Sequence, residues 1–482
     1  RLRRQWQTAA NASFDAIVAD GLATVASRVP GGGGSRWLVF NGLGWERTGL
    51  VRIEGRTGTT VTDVATGEAM PAQMVEADGW SGLVFEAHGV PSVGYRTFAL
   101  GAGAAPGGPS PWQFGDNRLE GPFYRVEVSP LTGGIASLYD KIRGRELVDQ
   151  ESPYQLNQCL YWSDGTEHTP RAVTVEPGPA GPVFAELRVR ASLKNMELHS
   201  TIILYANIDR IDIRNDLDKR PTSERQELDF AFPFAVPDRR YQFEAPGAII
   251  EAGRDQLPGA GQAVTVVRHF VDVSNDEFGV TLSQADSFIV EFGHRTTLED
   301  PLAPDPSNST VLALALGNVI DWDESIRDQA GSDRFTFRYA LRGHDGGLDP
   351  AAAVRFGWED NNELLAVPLT AGEQGDLPAG SHSFVTVEPD GAILTSFKVA
   401  EGEGFVVRLW DCSGQAATAT LDLGSMSTGR RIAAAWHTDL LERDRDEIPV
   451  RDGRIAMPLR AKGIATARFV FADGTGRGDD EA

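Results

Sequence analysis

VFAELRVRASL (Val183–Leu193), LHSTIILY (Leu198–Tyr205) and IDIRNDL (Ile211–Leu217) follow one another near the middle of the chain. Each is a short run in which apolar side chains alternate with polar ones over at least part of its length. A strand with one buried face requires that pattern, because successive side chains point to opposite sides. The breaks between the runs carry Asn195, Asn207 and Asp209, residues that favour turns. The same texture extends outward through FYRVEVS (Phe123–Ser129), LDFAFPF (Leu228–Phe234), FGVTLS (Phe278–Ser283), SFIVEFG (Ser287–Gly293), VLALAL (Val311–Leu316) and RFTFRYAL (Arg334–Leu341). Sustained helical periodicity is missing between Trp112 and about Ala400, so an all-β region of two packed sheets is expected there.

The flanks differ from this centre. At the start, Leu2, Trp6, Phe14, Ile17, Val18, Leu22 and Val25 recur at three-to-four residue spacing, which predicts one amphipathic helix ended by PGGGGS at Pro30–Ser35. Such a helix must dock on β structure or belong to a bundle. RWLVF, GLVRIEG and YRTFAL then predict a small β unit, and GAGAAPGGPSP (Gly101–Pro111) reads as a linker. FVVRLWD, ATLDLG, RIAMPL and TARFVF predict a terminal β unit. The expected organisation is a helix over 1–30, a small β-sandwich over 31–105, a large one over 110–385, a terminal β domain over 386–474 and a disordered tail over 475–482.

Composition narrows the function classes. The 482 residues carry 45 Lys and Arg against 68 Asp and Glu, a net charge of −23 that repels phosphate backbones and anionic bilayers. Nucleic acid and membrane are therefore not expected partners, whereas a homo-oligomer stays open. No apolar run is long enough to span a bilayer and the first residues lack a signal-peptide core. The two cysteines, Cys159 and Cys412, have no framework spacing, and a cytoplasmic location is the expectation.

VFNGLGW (Val39–Trp45), TGGIASLYDKIRGRELV (Thr132–Val148), RIDIRNDLDK (Arg210–Lys219), FGVTLSQAD (Phe278–Asp286), DQAGSDRFTFRYALRGH (Asp328–His344) and GAILTSFKVAEGEGFVVRL (Gly391–Leu409) occur in that order. Together they resemble the back half of glycoside hydrolase family 38, the retaining α-mannosidases. The resemblance implies tandem β-sandwiches with a large super-sandwich, preceded by one amino-terminal helix left from a helical bundle. It also implies that the zinc ligands and catalytic carboxylates belong to an amino-terminal α/β domain that these residues do not include. No cofactor is expected in this chain, and zinc is expected in that catalytic domain. The expected partners are a mannoside substrate and the catalytic domain. A start inside a helix and without Met suits a fragment.

No catalytic residue and no metal ligand is assigned. A retaining glycosidase needs two carboxyl groups about 5–5.5 Å apart, and sequence spacing does not place such a pair. His437-Thr438-Asp439 matches His-x-Asp, but it falls in AWHTDLLE without a second ligand pair, and no two of the eight histidines lie close in sequence. The most unusual stretch is YQLNQCLYWSD (Tyr154–Asp164), which joins Tyr154, Tyr161 and Trp162 to Asn157, Gln158 and Asp164. Sugars are bound by aromatic faces and by amide or carboxylate groups. The resemblance implies an aromatic-bearing loop facing the cleft here, and a basic loop at His294-Arg295. Tyr161, Trp162, Asp164, Asn157 and Arg295 are the substrate-binding candidates, with Tyr161 and Trp162 expected partly exposed around a concavity.

The bland alternatives are a strand whose aromatics fill the core and a solvated loop. His344 reads as a hydrogen-bonded structural residue or a functional one. The acidic groups Asp321-Asp323-Glu324, Glu359-Asp360 and RDRDE (Arg443–Glu447) read as solvated faces or as cation sites. Three functions remain open: the carboxy-terminal portion of an α-mannosidase-type glycosidase, a free-standing carbohydrate-binding or assembly module, and an independent lyase or epimerase on the super-sandwich.

Overall fold

The computed structural model describes residues 2–31, 35–55, 60–77, 79–103, 110–295, 303–317, 333–370, 375–423 and 431–472. The expected disordered tail and the acidic group at Asp321–Glu324 lie outside the described residues, as does most of the expected linker. Strand dominates, and the chain forms two compact units, one of residues 107–361 and one of residues 1–106 with 362–482. The all-β expectation therefore holds.

In the 107–361 unit, nine antiparallel strands run in the order Arg171–Ala180, Phe184–Leu193, Met196–Tyr205, Ile211–Lys219, Arg334–Asp345, Phe278–Gln284, Phe270–Ser274, Arg240–Ala245 and Ala248–Glu251. Facing it is a six-stranded antiparallel sheet in the order Thr166–His168, Gln158–Ser163, Gln226–Pro233, Thr310–Gly317, Ile289–Phe292 and Thr265–Val266. The alternation legible in the sequence fills the space between them. Leu187, Val189, Ile202, Leu204, Ile211 and Ile213 from the larger sheet share one core with Leu228, Phe230, Phe232, Val290 and Val311 from the smaller. Rings interlock across the interface, with centroids of Phe232 and Tyr339 at 4.9 Å and of Tyr241 and Phe292 at 4.8 Å. Each such pair adds about 0.5–1.5 kcal/mol beyond the area it buries. A five-stranded sheet that includes Tyr124–Val128 and Ile135–Asp140 adds Val126, Ile135 and Leu138 to the same core.

The outer face of the nine-stranded sheet is covered in part by the helix Pro350–Asn361, which buries Val354, Phe356 and Trp358. The helix starts under Asp349, whose Oδ1 accepts from the amides of Ala351 and Ala352 and so caps two otherwise unpaired donors.

In the other unit, Arg36–Asn41 pairs with Gly94–Gly101 on one edge and with Leu365–Pro368 on the other, so distant parts of the sequence share one sheet. A further three-stranded sheet (Arg47–Glu54, Trp80–Val90, Ala72–Ala77) meets it over Val39, Val51, Leu83, Phe85 and Phe98. The terminal strands Ala392–Val399, Phe405–Asp411 and Ile464–Phe471 close a separate core around Val407, Leu409, Ala467 and Phe469. The helix Leu2–Ser27 forms as expected; near its end Ala26 joins Val29, Leu38 and Tyr95 in a small core, while Phe14 and Ile17 are 67% and 68% exposed.

Candidate carbohydrate-facing site

The strand Gln158–Ser163 separates the candidates by its two-residue period. Cys159 and Tyr161 point into the core between the sheets; Leu160 and Trp162 point to the outer face of the six-stranded sheet. Tyr161, expected to be partly exposed around a concavity, is instead fully buried, and its hydroxyl donates to Gln226 Oε1 at 2.6 Å. Asn157 is also turned inward. It exchanges amide hydrogen bonds of 3.0 and 2.8 Å with Asn215, which accepts a further bond from Ser200 Oγ at 2.6 Å. This closed amide pair satisfies polar groups that the core would otherwise leave stranded. Asp164 sits exposed at a hairpin tip: Asp164 and Gly165, with φ of 47° and 77°, link Gln158–Ser163 to Thr166–His168, the backbone that an Asp-Gly loop supplies.

Trp162 and Arg295 are brought together. The Arg295 guanidinium lies 4.6 Å from the centroid of the Trp162 ring, and its Nε donates to Glu227 Oε1 at 2.6 Å. Glu227 stands directly opposite Trp162 in the register of the two strands. A planar guanidinium suits this double role, stacking by its face and bonding by its edge.

Two residues further along the same strand and on the same face lies Asp229, opposite Leu160. It is fully buried, and neither carboxyl oxygen has a hydrogen-bond partner. Burial first, then the nearby negative charges of Glu227 and Glu291, hold its acidity well above the ordinary carboxylate range, against the lesser pull of Arg295. Burial also raises Glu227, opposed by Arg295. Tyr154 packs against the neighbouring Leu160, Ala231 and Leu312. Its hydroxyl is raised by burial and then by Glu167, with Arg295 and Asp229 also acting on it.

Glu227 and Asp229 are absent from the candidates drawn from sequence. Their signal is QELDFAFP, two acids spaced by two inside an otherwise apolar strand, which puts both on one face. The other candidates have structural roles. His344 Nε2 meets Asp272 Oδ2 at 2.8 Å, and Asp439 accepts from the amides of Leu441 and Arg443 at 2.9 and 3.1 Å. Asp360 accepts from Ser283 Oγ at 2.7 Å, and Asp444 is held by both edge nitrogens of Arg468. Among the described residues no group of three or more His, Cys, Asp or Glu is placed to hold a metal ion. No helix among them is long and apolar enough to cross a membrane.

Comparison with known proteins places this architecture. The family model "Glycosyl hydrolases family 38 C-terminal domain" matches residues 119–299, and "Glycosyl hydrolases family 38 C-terminal beta sandwich domain" matches residues 391–467; together they take in more than half of the chain. The chain belongs to glycosyl hydrolase family 38. Within that family, the fold is similar to that of an α-mannosidase from Enterococcus faecalis V583, at 15% identity and a TM-score of 0.72 over 93% of this chain. A second family 38 protein from Enterococcus faecalis matches at 16% identity, with a TM-score of 0.69 over 93% of this chain. This family 38 chain spans 58% and 60% of the length of those two proteins. No curated protein matches the sequence.

Proposed function

We propose that this chain is the carboxy-terminal, carbohydrate-facing portion of a retaining α-mannosidase-type glycoside hydrolase, inactive without a zinc-bearing catalytic domain. The observation that carries the reading is the pair of family matches, both to carboxy-terminal domains. The substrate in this reading is a mannoside. Its zinc would be bound, and its two reacting carboxyl groups supplied, by an α/β domain outside these 482 residues.

The outer face of the six-stranded sheet supplies the sugar-facing surface in this reading. Trp162 and Arg295 offer a ring and a planar fork on a rigid strand scaffold, so presenting them to a sugar costs little ordering entropy. The exposed Phe14, Ile17 and Val18 on the first helix support a place in a helical bundle, since an apolar stripe of that kind is otherwise left in water.

The test is to purify the chain alone and together with a family 38 amino-terminal α/β domain, and to assay aryl α-mannoside hydrolysis with zinc. Turnover is expected only for the pair, and stoichiometric zinc only on the α/β partner. Turnover by the chain alone that survives metal controls and is abolished by substitutions within it would refute the reading.

A further inference from the structure

The helix Pro350–Asn361 meets the nine-stranded sheet through hydrogen bonds that close only when one carboxyl carries a proton. Its last turn ends on Ser283, whose Oγ lies 2.7 Å from Asp360 Oδ2 and 3.2 Å from the carbonyl of His269, and accepts from Asn361 Nδ2 at 3.2 Å. A hydroxyl has one hydrogen to give. If Asp360 is ionised, its oxygen and the His269 carbonyl compete for that hydrogen, and one contact stays unmade. If Asp360 is protonated, it donates to Ser283, Ser283 donates to His269, Asn361 still bonds, and all three contacts close.

The charges around the turn give the same answer. Arg210 is engaged by Asp212, with Nη2 2.7 Å and Nε 2.6 Å from its two carboxyl oxygens, and the Tyr205 hydroxyl donates to the same acid. Arg338 is committed to Asp286 at 2.8 and 3.0 Å. On the other side of the turn, His269 and Glu244 meet at 2.9 Å, Glu244 accepts from Trp358 Nε1 at 3.0 Å, and Arg268 lies over the Trp358 ring. Arg355 and Glu359 are the charged neighbours on the helix itself. Burial first pushes the acidity of Asp360 up to about 6, with Asp212 adding to the rise and Arg210, Ser283 and Arg338 opposing it.

We propose that the last turn of this helix is a proton-operated latch, locked onto Ser283 while Asp360 is protonated and loosened when it ionises. The seam beneath it is apolar. Gly357 rests on the sheet so closely that a Cβ there would stand 3.1 Å from that of His269 and 3.2 Å from that of Phe270, which is fully buried. Val354 and Phe356 hold the preceding turns, so loosening opens the Gly357–Asn361 end first. Asp360 holds its proton more tightly in the docked turn than in water. Docking is therefore firmest below the ordinary carboxylate range and weakens as pH rises through about 6.

The experiment follows amide hydrogen exchange across the whole chain in wild type, Asp360→Asn and Trp358→Phe. After correction for intrinsic exchange, opening of residues 357–361 should rise about tenfold or more between about pH 4.5 and 6.5 and then level off, while the strand Met196–Tyr205 of the same sheet shows no such rise. Asp360→Asn, whose amide can give Ser283 the same bond, should stay protected throughout. Trp358→Phe, which removes the bond to Glu244, should raise opening at every pH and keep the slope. Wild-type protection that does not change with pH overturns the latch, as does a rise that persists in Asp360→Asn. A rise shared equally by Met196–Tyr205 overturns it too, since that is global loss of stability. A Trp358→Phe profile without the slope would move the switch to the Glu244–His269 pair and so overturn the role of Asp360.

Discussion

Asp272 and Glu244 on the outer face of the nine-stranded sheet and Asp229 on that of the six-stranded sheet are buried to the same degree and treated in opposite ways. On the nine-stranded sheet, Asp272 is fully buried and accepts from Ser274 Oγ at 2.5 Å and Thr281 Oγ1 at 2.8 Å, with His344 Nε2 at 2.8 Å. Glu244, equally buried, accepts from Trp358 Nε1 at 3.0 Å and meets His269 Nδ1 at 2.9 Å. On the six-stranded sheet, Asp229 has no such partner. Burial by itself therefore does not mark a functional acid. An acid whose hydrogen bonds are closed within the fold contributes to stability, whereas one left open is costly unless something outside the fold completes it.

Stability measurements can break this contrast. The largest effect is expected for Asp272→Ala, which strands Ser274, Thr281 and His344 together: a loss of about 3–5 kcal/mol by denaturant unfolding. A loss below about 1 kcal/mol would remove the distinction between the two faces.

A second measurement sharpens it through pH. Asp360, on the helix that covers the nine-stranded sheet, has its acidity pushed from 3.8 up to about 6, chiefly by burial. The folded chain thus holds this proton more tightly than the unfolded chain. The associated stability is fully present below the unfolded value and is lost as pH rises through the folded one. Wild type should lose on the order of 2 kcal/mol between about pH 4 and 6, and Asp360→Asn should flatten that part of the profile. An unchanged slope would assign the pH dependence to other groups.

The smallest effect is expected at Asp229. Asp229→Leu removes a carboxyl that has no internal partner, so thermal and denaturant unfolding should change by less than about 1 kcal/mol or move toward greater stability. Destabilisation comparable with that of Asp272→Ala would show that Asp229 is a structural acid after all, and the comparison would collapse.

The sequence by itself determined that this chain is a set of packed sheets, because alternation in runs such as Val183–Leu193 and Ile211–Leu217 assigns each side chain to a face before any partner strand is known. It also carried the motifs of family 38 and the Asp-Gly signal of the hairpin after Trp162. The same alternation put Tyr161 and Trp162 on opposite faces. Which face was interior was not legible, since either residue type suits a core or a cleft. Only the tertiary structure decided that the Tyr161 side is sealed by the nine-stranded sheet, that Arg295 comes back over Trp162 from more than a hundred residues away, and that Leu365–Pro368 pairs with Arg36–Asn41. The satisfaction of a buried acid was decided there too. Asp229 and Asp272 both sit in short strand runs, and what separates them is the set of hydroxyls and rings that neighbouring strands place within about 3 Å, a property of register and pairing that no local stretch of sequence contains.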